Sequence, residues 1–210
     1  MIDELIRRYP ALKTCKKDLE KCLSTMIQCF KSGNKILIAG NGGSAADSDH
    51  ISAELMKSFY LKRPLPNEFK EKLIAVDKIH GLKISEKLQQ PLVALSLPDS
   101  SALSSSFSND IENGDKFLFS QKIYALGKPN DIFLAISTSG KSENIINGAV
   151  TAKALGIKVI GLTGGNGGTL KDFCDVCIIV PENKTHLIQE LHLPIYHWLC
   201  LELEKEFFGE

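Results

Sequence analysis

Apolar residues fall in short blocks divided by longer amphipathic stretches, and this rhythm predicts the architecture. Residues 35–39, 92–97, 131–136, 158–162 and 176–180 are runs of Ile, Leu, Val, Phe and Ala with little polar alternation. That is the pattern of strands buried on both faces of a parallel sheet. Between and after them, residues 45–56, 117–126, 143–155 and 185–208 read as helices, with Gly156 as a C-cap and Pro194 expected to kink the last. Residues 2–32 read as a helix broken near Pro10. Leu12, Leu19, Cys22, Leu23, Met26, Ile27 and Phe30 form its stripe, and Ser32-Gly33-Asn34 its stop. Strands alternating with helices at this spacing predict an α/β fold, a three-layer αβα sandwich. Its five-stranded, mainly parallel, Rossmann-like sheet follows a long N-terminal helix. Residues 61–90 interrupt the rhythm with Pro64, Pro66, many charges and one short helix at 83–88, and His80 reads as a surface-loop histidine. Such a stretch inside a compact domain is a functional excursion or a flexible one.

Composition narrows the class. At 210 residues and 43% hydrophobic content, the chain can bury one good core, which predicts a single domain over 1–210. Lys+Arg and Asp+Glu balance at 25 each, so nothing favours a nucleic-acid or anionic-membrane partner. No run approaches the ~20 apolar residues of a membrane span. The acidic start Met1-Ile2-Asp3-Glu4 lacks the features of a signal peptide, and a cytoplasmic protein is expected. Cys15, Cys22 and Cys29 recur every seven residues along one helix stripe, as packing residues do. Cys174 and Cys177 match C-x-x-C but lack a second pair and lead into a strand, so they read as structural thiols.

The chemistry sits in the loops that follow strands, where open α/β sheets bind ligands. Asn41-Gly42-Gly43-Ser44 joins a strand to a helix start, so free amides and the positive helix end point at one place. Ser44 is expected to cap that helix. The loop is neither a Walker loop nor a dinucleotide fingerprint, and no nucleotide cofactor is expected. Ser137-Thr138-Ser139-Gly140-Lys141-Ser142 places four hydroxyls and a glycine before another helix, a neutral donor cluster suited to a phosphate dianion. Residues 99–110 form a third such segment, ending in Asn109-Asp110. His50 and Glu54, four apart, share a helix face one turn beyond the anion-binding end. Gln189 and His197 stand eight apart on the last helix, with His192 between them. From the residues alone, this is a sugar-phosphate-binding α/β domain with candidate acid–base groups.

Taken together, Gly40-Asn41-Gly42-Gly43-Ser44, His50 with Glu54, Ser137-Thr138-Ser139-Gly140 with Ser142, and Gln189-Glu190 with His197 resemble the phosphoheptose isomerase branch of the SIS (sugar isomerase) domain family, over about residues 10–207. The resemblance implies interconversion of sedoheptulose 7-phosphate and D-glycero-D-manno-heptose 7-phosphate through an enediol. It places phosphate on Ser137, Thr138, Ser139 and Ser142, and the sugar on Asn41, Gly42, Gly43, Ser44, Glu54, Asn109, Asp110 and Gln189. Glu54 and His197 become the acid–base pair, and His50, Glu54, Gln189 and His197 a zinc site. It further implies a homotetramer with sites at subunit boundaries. Leu187 stands where that family often has an arginine. Two alternatives stay open: isomerisation of another sugar phosphate, and a non-catalytic sugar-phosphate sensor or scaffold.

Overall fold

A computed structural model describes residues 2–98 and 101–209. Asp99, part of the third ligand-facing segment, lies outside the described residues. The five predicted strands are present: β1 (Ile36–Ala39), β2 (Ala94–Ser96), β3 (Ile132–Ile136), β4 (Lys158–Gly164) and β5 (Val176–Val180). All pair in parallel, in the order β2-β1-β3-β4-β5. The order of strand addition reverses at β1, with β2 on one side of it and β3 on the other, which opens a crevice beyond the carboxyl ends of β1 and β3.

Alternation along the strands sends side chains to both faces. Ile132, Leu134 and Ile136 join one core with Ile36 and Ile38, covered by α1 (Ile2–Arg8), α2 (Lys16–Lys31), α3 (Gly43–Met56) and α9 (Thr185–Phe208). Phe133 and Ala135 join Leu37 and Ala39 in the other, covered by α7 (Leu118–Leu126) and α8 (Glu143–Ala154). This is the three-layer sandwich. Pro10 opens a 3-10 turn, Pro10–Cys15, between α1 and α2. Leu12, Leu19, Cys22 and Met26 are buried along the expected stripe, and Cys15 and Cys29 with them. Burial alone pushes the Cys22 thiol up to about 12, consistent with an inert packing role. Cys174 and Cys177 are free thiols packed against Gly161.

Two segments differ from expectation. Residues 61–90 hold two helices, α4 (Asn67–Val76) and α5 (Lys78–Lys87), rather than one short helix. The missed signal is Asp77, whose carboxylate accepts from the amides of Ile79 (3.0 Å) and His80 (2.6 Å) and caps α5. His80 is therefore an exposed helix residue bonded to Asp77, not a loop histidine. The serine-rich stretch forms α6 (Ser101–Asp110), where Ser105 and Ser106 hydroxyls donate to carbonyls of Ala102 and Leu103 on the preceding turn. Among the described residues no helix is long and apolar enough to cross a membrane.

Candidate functional site

The glycine turn after β1 starts α3 two residues earlier than the sequence suggests. Gly42, at φ 55°, is the N-cap, and Ser44 lies buried inside the first turn rather than capping it. Only a residue free of Cβ strain sits comfortably at that φ. Turn bonds occupy the amides of Ser44 and Ala45, and the Gly43 amide is one that the helix itself does not use. A Cβ on Gly43 would collide with the side-chain amide of Gln189, so α9 reaches α3 at this point.

The serine loop after β3 is drawn tight. Ser137 and Ser142 hydroxyls lie 3.1 Å apart, and the Lys141 amide donates to Ser139 Oγ at 3.2 Å. Gly140, at φ 62°, lets its backbone pack directly on the Gly167-Gly168 turn after β4. Asn41 and Asn144 exchange two amide hydrogen bonds of 2.9 Å, which fasten the first loop to the start of α8. Thr138, Ser139 and Lys141 line a cleft of about 430 Å³ with Gly164, Gly165, Asn166, Asn183, Thr185 and Ile188. Sequence reasoning missed the contribution of Asn166, Asn183 and Thr185. The Gly-rich turn at 164–168 was the available signal, since it too follows a strand.

Further along α3 and α9 lies a cluster of ionisable side chains. His50 Nε2 is 3.4 Å from Glu54 Oε1, and the His50 and His197 rings stand with centroids 5.0 Å apart. Tyr196 donates its hydroxyl to Asp47 Oδ1 at 3.2 Å and lies 3.1 Å from His50 Nδ1. With the phenol proton committed to the carboxylate, Nδ1–H of His50 is the donor to Tyr196. In the neutral ring the Nε2 lone pair then faces Glu54, two acceptors that call for a proton or a cation between them. His197 Nε2 is buried with no hydrogen-bond partner. Burial, and then the charge of His50, lowers the His197 pKa below the usual histidine value, with Glu54 acting the other way. Lys57 also reaches Glu54, at 3.2 Å.

The expected residues are thus only partly gathered. Glu54, His50 and His197 share one cluster, and Gln189 touches the glycine turn. Asn109 and Asp110 are exposed at the end of α6 and bonded to each other. Among the described residues no three His, Cys, Asp or Glu side chains are disposed to hold a metal ion. The donor set nevertheless fits zinc in kind, two imidazoles and a carboxylate with one buried nitrogen left over. His192 is a core residue: its Nε2 lies 3.3 Å from the Thr163 carbonyl, and burial pushes its pKa down to about 4.

Comparison with known proteins agrees with this frame. Residues 74–164 match the model of the SIS domain family. The phosphoheptose isomerase of Crocosphaera subtropica is 38% identical over 198 residues, 94% of this chain and 86% of that protein. The chain belongs to the phosphoheptose isomerase family. Among solved structures, phosphoheptose isomerase from Neisseria gonorrhoeae superposes with a TM-score of 0.75 at 29% identity, covering 97% of this chain and 95% of that one. The enzyme from Francisella tularensis gives 0.76 at 28%, covering 97% and 94%.

Proposed function

We propose that this family member is an aldose–ketose isomerase that converts sedoheptulose 7-phosphate to D-glycero-D-manno-heptose 7-phosphate through an enediol, with Glu54 and His197 as the acid–base pair. One spacing carries the reading. Gly43 abuts Gln189, while His50, seven residues on, abuts His197, eight residues on. At the helical rise this separates the anion-binding loops from the ionisable cluster by about 10–12 Å. A seven-carbon sugar with its terminal phosphate ester spans about 10 Å when extended, from ordinary bond lengths.

Phosphate is gripped by Ser137, Thr138, Ser139 and Ser142, and the reacting end extends toward α3 and α9. Orientation by a remote phosphate lowers the barrier without touching the reacting carbons. The Glu54 carboxylate removes the proton beside the carbonyl and returns it to the neighbouring carbon. His197 is held neutral by burial and moves the proton between the two oxygens. Asn41, Gly42, Gly43, Ser44 and Gln189 hold the sugar from the glycine turn, and Asn109 and Asp110 from the end of α6. His50, Glu54 and His197 would hold zinc, with Gln189 completing the set by turning its side chain from Gly43 toward them. Such an ion supplies polarisation of the carbonyl.

The active form is a homotetramer in the cytoplasm, with sites at subunit boundaries. Support comes from α4 and α5, which pack on each other and leave Val76, Ile79 and Leu82 exposed.

The deciding experiment offers sedoheptulose 7-phosphate in deuterated water, with and without a chelator, and follows deuterium at the carbon next to the carbonyl. Exchange is expected. Glu54→Gln is expected to reduce it by about 10³-fold, within the range for a lost general base, while phosphate affinity stays within twofold. Tight binding without exchange on any ketose phosphate would make the protein a sensor instead. Exchange that survives chelation removes the zinc from the chemistry.

A further inference from the structure

Arg63 and Glu204 are the most deeply buried ion pair among the described residues, 1% and 0% exposed. Taking both charges out of water costs several kcal/mol per ion, so the pair persists only with its other bonds satisfied. They are. Arg63 Nε donates to Glu204 Oε1 at 2.8 Å, Nη1 to the Leu55 carbonyl at 2.7 Å and Nη2 to the Glu54 carbonyl at 3.2 Å. Glu204 also accepts the amides of Phe59, Tyr60 and Leu61, each at 2.8 Å. The guanidinium lies 4.8 Å from the centre of the Phe208 ring.

The targets of these bonds are specific. Helix α3 ends at Lys57 in extended backbone, without a glycine cap, and Arg63 takes up carbonyls of its last turn. One of those carbonyls belongs to Glu54 itself. Glu204 stands seven residues after His197, two turns along α9 and on the same face. A single fork therefore joins the backbone of the proposed base to the helix that carries its partner. Apolar residues of similar volume would hold the core together as well or better. What they lack is the directional bond that fixes one helix-to-helix distance.

We propose that Arg63 and Glu204 are positioning residues that hold Glu54 in register with His197 and thereby set the rate of proton transfer. The proposal rests on the isomerase reading above. It is tested in the full-length protein with Glu204→Gln, Arg63→Lys, Arg63→Met and the double variant Arg63→Met/Glu204→Leu, each assayed for turnover of sedoheptulose 7-phosphate and for thermal midpoint. Displacement on the ångström scale costs about 100-fold, so kcat is expected to fall about 30- to 100-fold in Glu204→Gln and in the double variant, with KM changed less than threefold. The double variant should melt within a few degrees of wild type, and Arg63→Lys should recover part of the rate that Arg63→Met loses. A folded double variant with wild-type kcat, or losses that follow thermal midpoint across the set, would overturn the clamp. Should the double variant not fold, Glu204→Gln assayed well below its midpoint decides between the same two outcomes. Wild type inert toward every ketose phosphate rejects the isomerase reading and the clamp together. Active wild type with unimpaired variants rejects the clamp alone.

Discussion

Among the described residues that line the cleft beside the serine loop, Lys141 is the one with a charged side chain. The other polar groups there are hydroxyls and amides, which orient a phosphate but do not neutralise it. A hydrogen bond to a charged group is worth about 1.5–3 kcal/mol, so Lys141→Ala is expected to raise KM about tenfold and leave kcat within twofold. The effect should shrink in high salt, because Lys141 is exposed and screened. Steady-state kinetics at two ionic strengths check both points. Unchanged KM would place the phosphate elsewhere. The chemistry of His50 is likewise decided by neighbours: Tyr196 and Asp47 fix its donor nitrogen and turn the other toward Glu54. Asp47 is three residues away on the same helix, but its link to His50 runs through Tyr196 on α9, which spacing along the chain does not reveal.

Helix α9 does most of the work at the scale of elements. It packs Ile188 on Gly164, His192 on Thr163, His197 on His50, and Glu204 on Arg63. Pro194 sits inside it without ending it, buried in the core. The buried His192 gives this element a pH signature. Its folded pKa of about 4 lies below the ordinary histidine value of about 6.5, so the unfolded chain takes up the proton first. Stability tied to this group is therefore complete above pH 6.5 and is lost as pH falls toward 4, by about 3 kcal/mol in all. Urea unfolding at pH 7 and pH 5 should show the decline in wild type and a smaller one in His192→Asn. Equal slopes would mean that His192 takes up its proton without unfolding.

For the whole molecule, the exposed apolar side chains on α4 and α5, together with Tyr60, ask for a partner. Light scattering is expected to give four times the 23.1 kDa chain mass. A fully active species of the chain mass would end the subunit-boundary reading. The strand blocks, the serine loop and the glycine turn were legible in the sequence because each depends on residues close together along the chain. Apolar runs define buried strands, and hydroxyls or glycines before a helix define anion loops, whatever the rest of the molecule does. The α4–α5 hairpin and α6 were not, since one hung on a single Asp77 cap and the other on serines bonding their own helix. Tertiary structure alone decided that Asp47 and Tyr196 orient His50, that Asn41 is tied to Asn144, and that Arg63 reaches Glu204 across 141 residues. Those contacts join side chains distant in sequence, and their energies depend on distance and burial, which spacing along a chain does not encode.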